Sequence, residues 1–333
     1  MAEAIQNEYP NAEVVSYGET LNCEDWKNHI EKAVEVARDA DVVILGVGEV
    51  TGQGKDATSG EGINHPNLTL PFHQEELIHE IAKLNKKTVM VLINGRAMAL
   101  GNVEAEVDAI VEGWYPGPAG GKPIARVISG DVNPSGKLPI TFPYISAQCP
   151  IYYGTKTGSG YMSYSAAGPG MLDVSEVPHP ETSVMQPLYP FGYGLSYTSF
   201  KISNLKSDES VKVLDSFKVS VDVENTGSVT GEETVQIYFH SLCPTINRPI
   251  MELRGFKKIE LNPGEKRTLE FTFDTRQFGY FNAKNEFVIE PRPQSIFVGN
   301  SSSSIVEHSK IDFVGEVTEI LHDRVFDFDV KVK

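Results

Sequence analysis

The hydrophobic pattern of this chain changes period once, and that change limits the fold more than any other feature. From residue 2 to about 145, helical spacing alternates with short apolar runs; beyond about residue 200, apolar residues recur at every second position. The first pattern specifies helices laid on a largely parallel sheet, the second half-buried antiparallel strands. Two separate cores follow, which suits 333 residues of which 40% are hydrophobic.

In the first region Trp26, Ile30, Ala33, Val34 and Ala37 mark one face of a helix, with Asn22 or Glu24 near its start and Asp25 acidic in its first turn. The run Asp41-Val42-Val43-Ile44-Leu45-Gly46 then reads as a strand covered on both faces. A second unit repeats the order: Leu77, Ile78, Ile81 and Leu84 on a helix, Thr88 to Ile93 on a strand, and Val107 to Val111 continuing the sheet. Residues 146–199 are rich in Gly, Ser, Pro and Tyr without period, so an irregular connection is expected there. In the second region Phe217, Val219, Val221 and Val223, then Val235, Ile237 and Phe239, then Leu269, Phe271 and Phe273 alternate with polar residues. Turn chemistry at Asn225-Thr226-Gly227 and Asn262-Pro263-Gly264 separates these runs, so a sandwich of roughly seven strands over 200–315 is expected. Ser301 to Ser304 read as a loop tip, and 316–333 as a tail with no assigned structure.

Composition narrows function by exclusion. With 29 Lys and Arg against 45 Asp and Glu, the formal charge of −16 repels phosphate backbones, so no nucleic-acid partner is expected. No apolar run reaches the length of a membrane span, and the opening residues carry no signal-peptide pattern. Cys23, Cys149 and Cys243 are odd in number and widely spaced, which suits mostly buried, reduced thiols and favours the cytoplasm, without fixing a location. The eight histidines, His65 and His73 among them, show no paired ligand spacing, so no metal is expected. Gly46-Val47-Gly48 lacks the third glycine and the following helix of a dinucleotide turn, so no cofactor is expected either.

Several stretches, in matching order, resemble the C-terminal half of family 3 glycoside hydrolases of the β-glucosidase kind. They are Asp41 to Glu49, Ser59-Gly60-Glu61-Gly62, Leu70-Pro71-Phe72-His73-Gln74-Glu75, Gly130 to Pro139 with Thr141-Phe142-Pro143, and Leu188 to Tyr197. Arg248-Pro249 and Glu252 to Phe256 resemble the fibronectin type III-like domain that follows in many members. The resemblance implies an α/β sandwich domain over 1–145, a linker over 146–199 and a fibronectin-like domain over 200–315. It also implies that the family's first sheet strand is missing before Ala2, and that the catalytic TIM barrel lies outside these residues. The implied activity is removal of β-linked sugars from nonreducing ends, with a β-linked oligosaccharide or aryl glycoside as substrate and a barrel supplied in cis or in trans.

A retaining glycosidase needs two carboxyl groups about 5 to 5.5 Å apart, one a nucleophile and the other an acid and then a base. The family places its acid/base in a loop of the α/β domain, and the matching residue is Glu61. The loop follows the carboxyl end of a parallel strand, where α/β sheets place their sites, and flanking glycines let the backbone approach a ligand. Glu49, directly after the strand, is the rival, with loop anchoring as its other reading. The nucleophile's Ser-Asp-Trp context is not found: Asp25-Trp26 opens a helix, and Ser207-Asp208 lacks the tryptophan. The isolated chain is therefore expected to be inactive. Trp114 and Tyr115 are candidates for stacking on substrate or for strand-end packing, as are Tyr152, Tyr153 and Tyr161. The alternative to an enzyme half is a noncatalytic carbohydrate-binding or scaffold fragment.

Overall fold

The computed structural model describes residues 1–18, 20–54, 56–156, 186–242 and 244–333, and the chain divides into two units. Met1–Val132, Phe142–Ile151 and Gln186–Tyr189 form the first; Asn133–Thr141, 152–156 and Pro190–Lys333 belong to the second.

In the first unit, α1 (Ala2–Glu8) and α2 (Trp26–Arg38) precede β1 (Val42–Gly48). A short hairpin of β2 (Ser59–Gly60) and β3 (Ile63–Asn64) follows, then α3 (Gln74–Ala82), β4 (Lys87–Ile93), β5 (Ala109–Glu112) and α4 (Gly121–Ser129). The sheet is parallel throughout, in the order β1-β4-β5, with Gly48 opposite Ile93 and Leu92 opposite Glu112. Met90, Val91 and Leu92 are consecutive and fully buried, which requires cover on both faces of β4. That cover explains why the run reads as continuous in sequence instead of alternating. Helix α2 packs on α3, and α1 on α4. Asp25 caps α2 from outside its first turn, its carboxylate accepting from Asn28 Nδ2 at 2.9 Å and from no helix N–H, so Asp25-Trp26 is a helix start. Helix α4 ends at Gly130, whose φ of 86° is the left-handed conformation that favours glycine at a helix end.

The second unit contains β6 (Phe200–Ser207), β7 (Ser210–Lys212), β8 (Ser216–Asn225), β9 (Gly231–Ser241), β10 (Glu252–Leu261) and β11 (Lys266–Asp274). After these come β12 (Tyr280–Phe281), β13 (Phe287–Ile289), β14 (Pro293–Gly299), β15 (Ile305–Val314), β16 (Thr318–Glu319) and β17 (Asp329–Val332). A five-stranded sheet, β10-β9-β14-β15-β7, and a four-stranded sheet, β17-β11-β8-β6, enclose one core. The alternating residues expected inward are buried without exception: Phe217 to Val223, Val235 to Phe239 and Leu269 to Phe273. Phe217, Phe239, Phe273, Phe278 and Phe313 form its aromatic centre, in tilted and edge-on pairs with centroids 4.8 to 6.0 Å apart.

Three details differ from the sequence reading. The two sheets hold nine strands, because β7 adds an edge and β17, inside the segment 316–333, pairs with β11 through Leu269↔Val332 to Thr272↔Asp329. Ser301 and Ser302 are buried, since the turn folds inward and the Ser302 N–H donates to the Phe191 carbonyl at 2.9 Å. Cys23 is half-buried and Cys149 exposed, so the expectation of mostly buried thiols fails for both; Cys243 lies outside the described residues.

Candidate active site

The carboxyl ends of β1 and β4 are held unusually close. Gly48 has φ 138°, and a Cβ there would lie 1.9 Å from the Ile93 carbonyl oxygen, so only glycine fits. Gln74, first residue of α3, clamps the same glycine twice: its Nε2 donates to the Gly48 carbonyl at 2.9 Å, and its Oε1 accepts the Gly48 N–H at 2.7 Å. The chain leaving β1 is thereby aimed into the loop 49–64.

Glu49 does not point into open space. Its side chain is fully buried; Oε1 accepts from Arg96 Nε at 2.8 Å and from Nη2, and Oε2 accepts the Gly95 N–H at 3.0 Å. Arg96 reaches onward, donating from Nη1 to Asn64 Oδ1 at 3.0 Å and to the His65 carbonyl. This is loop anchoring by a charge-assisted network.

Glu61 stands at the tip of the β2–β3 hairpin. Ser59 pairs with Asn64 and Gly60 with Ile63, leaving Glu61-Gly62 as the two-residue turn, with Gly62 at φ 71°. Gly60 crosses the chain so closely that a Cβ would lie 2.2 Å from the Gly52 carbonyl oxygen. Glu61 is exposed, and among the described residues its carboxylate has no hydrogen bond or ion pair.

Trp114 and Tyr115 follow β5 and divide their roles. Trp114, at φ 48°, is half-buried against Phe142 with ring centroids 5.8 Å apart. Its N–H donates to Glu112 Oε1 at 2.8 Å. Tyr115 remains 44% exposed and lies over Gly95, where a Cβ would meet its ring at 2.5 Å; its hydroxyl is 2.7 Å from Ser59 Oγ. Burial pushes the Glu112 carboxyl up to about 7, against the lowering effect of the Trp114 N–H and the Asn94 side chain. Tyr153 stacks on Phe191 and packs edge-on to Tyr238, Tyr152 is exposed, and Tyr161 lies outside the described residues. His73 stacks on Trp26 at 3.8 Å.

Sequence reasoning missed Arg96, Asn94 and Glu112 as parts of this region, and it read Ser59 only as part of the stretch that carries Glu61. A signal existed: polar residues directly after apolar strands mark the carboxyl edge of a parallel sheet, and Asn94-Gly95-Arg96 and Glu112 occupy that position.

Both units are recognisable against known proteins: an α/β domain followed by a fibronectin type III-like β-sandwich. The model of the glycosyl hydrolase family 3 C-terminal domain matches residues 1–197, and that of the fibronectin type III-like domain matches 233–302. The chain belongs to glycosyl hydrolase family 3. It is 38% identical over 287 residues to a periplasmic beta-glucosidase of Salmonella typhimurium, covering 84% of this chain and 35% of that protein. A beta-xylosidase of Formosa agariphila is 36% identical over 279 residues, covering 84% and 36%. The crystal structure of beta-glucosidase from Listeria innocua in complex with isofagomine aligns with a TM-score of 0.80 at 29% identity, covering 95% of this chain and 42% of that one. The chain spans about a third of the length of these curated relatives. Among the described residues there is no eight-stranded barrel.

Proposed function

We propose that this chain supplies the acid/base half of a retaining, exo-acting β-glycosidase of the β-glucosidase type, with Glu61 as general acid and then base. The observation that carries the reading is the contrast between the two candidate carboxylates. Glu49 is buried and committed to Arg96 and Gly95, whereas Glu61 is exposed on a glycine-flanked turn with its oxygens free among the described residues. Only a carboxylate in the second condition can meet a glycosidic oxygen.

In the reaction, protonated Glu61 gives its proton to the leaving oxygen while a barrel carboxylate attacks the anomeric carbon. The Glu61 carboxylate then takes a proton from the water that cleaves the glycosyl-enzyme. The nucleophile must come from a catalytic barrel, in cis or in trans. The fibronectin-like domain takes no part in bond cleavage in this reading, and neither a metal nor a cofactor is needed.

The test is a comparison of the purified 333-residue chain alone with the same chain joined to a family 3 catalytic barrel, on aryl β-glucosides and cellobiose. Alone, it should match the buffer blank; completed, it should turn over both. Turnover by the isolated chain that survives Glu61→Ala would overturn the assignment. Sugar binding without turnover in the completed protein would favour the noncatalytic carbohydrate-binding reading.

A further inference from the structure

We infer that Tyr115 is a positioning residue for Glu61, acting through Ser59, while Arg96 fixes the other leg of the same hairpin. The inference rests on the acid/base reading of Glu61 and adds how that carboxylate is held. A two-residue turn joining strands of two residues each cannot hold its own geometry, since an isolated hairpin is marginal even at greater length. Its rigidity must come from outside.

Backbone bonds tie Thr58 and Ser59 to Val50 and Gly52, and two side-chain brackets add to them. On the β2 leg, the Tyr115 hydroxyl meets Ser59 Oγ at 2.7 Å, two residues before Glu61. On the β3 leg, Arg96 Nη1 donates to Asn64 Oδ1 at 3.0 Å and to the His65 carbonyl, three and four residues after it. Each bracket is itself braced. Arg96 is tied to the buried Glu49, and Tyr115 follows a left-handed Trp114 whose N–H is held by Glu112. Gly95 completes the fit, because any Cβ there would displace the Tyr115 ring. The partly exposed aromatic that sequence reading offers as a sugar-stacking residue is thus directed by its hydroxyl towards the acid/base hairpin.

A catalytic carboxyl displaced by about 1 Å loses much of its effect, and a proton donor loses it selectively where the leaving group needs the proton. Tyr115→Phe keeps the ring over Gly95 and removes only the bond to Ser59. Hydrogen exchange on the 333-residue chain should show peptides covering 56–66 opening roughly fivefold more in Tyr115→Phe and in Ser59→Ala, as expected for one lost hydrogen bond. The double variant should add little beyond either. Ser59→Thr keeps a hydroxyl and should stay near the wild type. In the barrel-completed enzyme, Tyr115→Phe should lower kcat for cellobiose severalfold, with KM and the rate on 2,4-dinitrophenyl β-glucoside nearly unchanged.

Unchanged exchange in both single variants would overturn the inference. So would equal losses of kcat on the two substrates for Tyr115→Phe while Glu61→Ala shows selective loss. If Glu61→Ala itself shows no selectivity, the acid/base reading falls and the positioning role falls with it, even where the exchange data establish the bracket.

Discussion

Arg96 divides its guanidinium between a buried anion and a hairpin: Nε donates to Glu49 Oε1 at 2.8 Å while Nη1 donates to Asn64 Oδ1 at 3.0 Å. Glu49→Ala would remove the buried anion that Arg96 Nε and Nη2 and the Gly95 N–H donate to, leaving Arg96 only Asn64 and the His65 carbonyl as partners. Breaking one side of such a pair costs about 3 kcal/mol, and Glu49→Gln, which keeps an acceptor, should cost less. Urea titration of the first unit's unfolding measures both. A Glu49→Ala protein as stable as wild type would show that the pair does not brace the loop.

Glu112 and Asp222 should contribute pH dependences of opposite sign. Burial raises the Glu112 carboxyl to about 7, above its value in the unfolded chain. The folded state therefore binds the extra proton, and the stability this contributes is fully present below about pH 4.5 and lost as pH rises to about 7. The slope is at most about 1.4 kcal/mol per pH unit. Glu112→Gln should flatten it. For Asp222, burial acts to raise the carboxyl, but hydrogen bonds from Thr268, Lys266 and Asn204 outweigh it and hold the group below its ordinary value. Its contribution is present above the unfolded carboxylate value and lost as pH falls through the lower folded one. Unfolding of Glu112→Gln and Asp222→Asn compared with wild type at pH 3, 5 and 7, by probes in each unit, checks both signs.

The segment 328–333 is part of the sandwich. Phe328 lies against Phe256, Phe271 and Phe273, and Val330 packs on the same core. Removing 328–333 should lower the sandwich's stability by about 2 to 4 kcal/mol, with Phe328→Ala accounting for about half or more. An unchanged urea midpoint would contradict the pairing of β17 with β11.

Asn225 is fully buried and has every hydrogen-bonding atom engaged. Its Nδ2 donates to the Val229 and Leu261 carbonyls at 2.8 and 2.9 Å, and its Oδ1 accepts from the Thr198 hydroxyl and the Gly227 N–H. Asn225→Ala strands two carbonyls and two donors together, so a loss of about 3 kcal/mol is expected, while Asn225→Asp should lose nearly as much because a carboxylate cannot donate. A thermal melt within 1 °C of wild type for either variant would refute this.

The parts of the fold that were legible in sequence are those where burial imposes a period. Met90-Val91-Leu92 and Phe217-Val219-Val221-Val223 announce their sheets because one or both faces must be apolar. Strand β17 was not legible, because at an edge only Val330 and Val332 mark it among charged residues. Tyr238 escaped for the opposite reason: Tyr153, Phe191, Ile250 and Met251 cover the outer face of β9, so its alternation disappears.

The most family-specific stretches prove to be architectural. Asn133 Oδ1 accepts from Ser196 and the Tyr197 N–H, Lys137 donates to Gly194 and pairs with Glu233, and a Cβ on Gly194 would lie 2.1 Å from the Gly136 carbonyl oxygen. In the first unit, Phe142 exchanges backbone hydrogen bonds with Leu188 and Tyr189. Such stretches identify a family strongly and say little about chemistry. The bracket around Glu61 left no period in the sequence, because Ser59, Arg96 and Tyr115 meet only through the topology of the sheet's carboxyl edge.

The central claim, that Glu61 is the acid/base, is tested most directly by product analysis of the barrel-completed Glu61→Ala enzyme on 2,4-dinitrophenyl β-glucoside with azide. An activated leaving group departs without a proton, so the glycosyl-enzyme still forms, and azide attacks it without a general base. The expected result is faster turnover with azide and accumulation of β-glucosyl azide, with no such product from Glu49→Ala. Absence of the azide adduct from Glu61→Ala, or its formation by Glu49→Ala alone, would contradict the assignment.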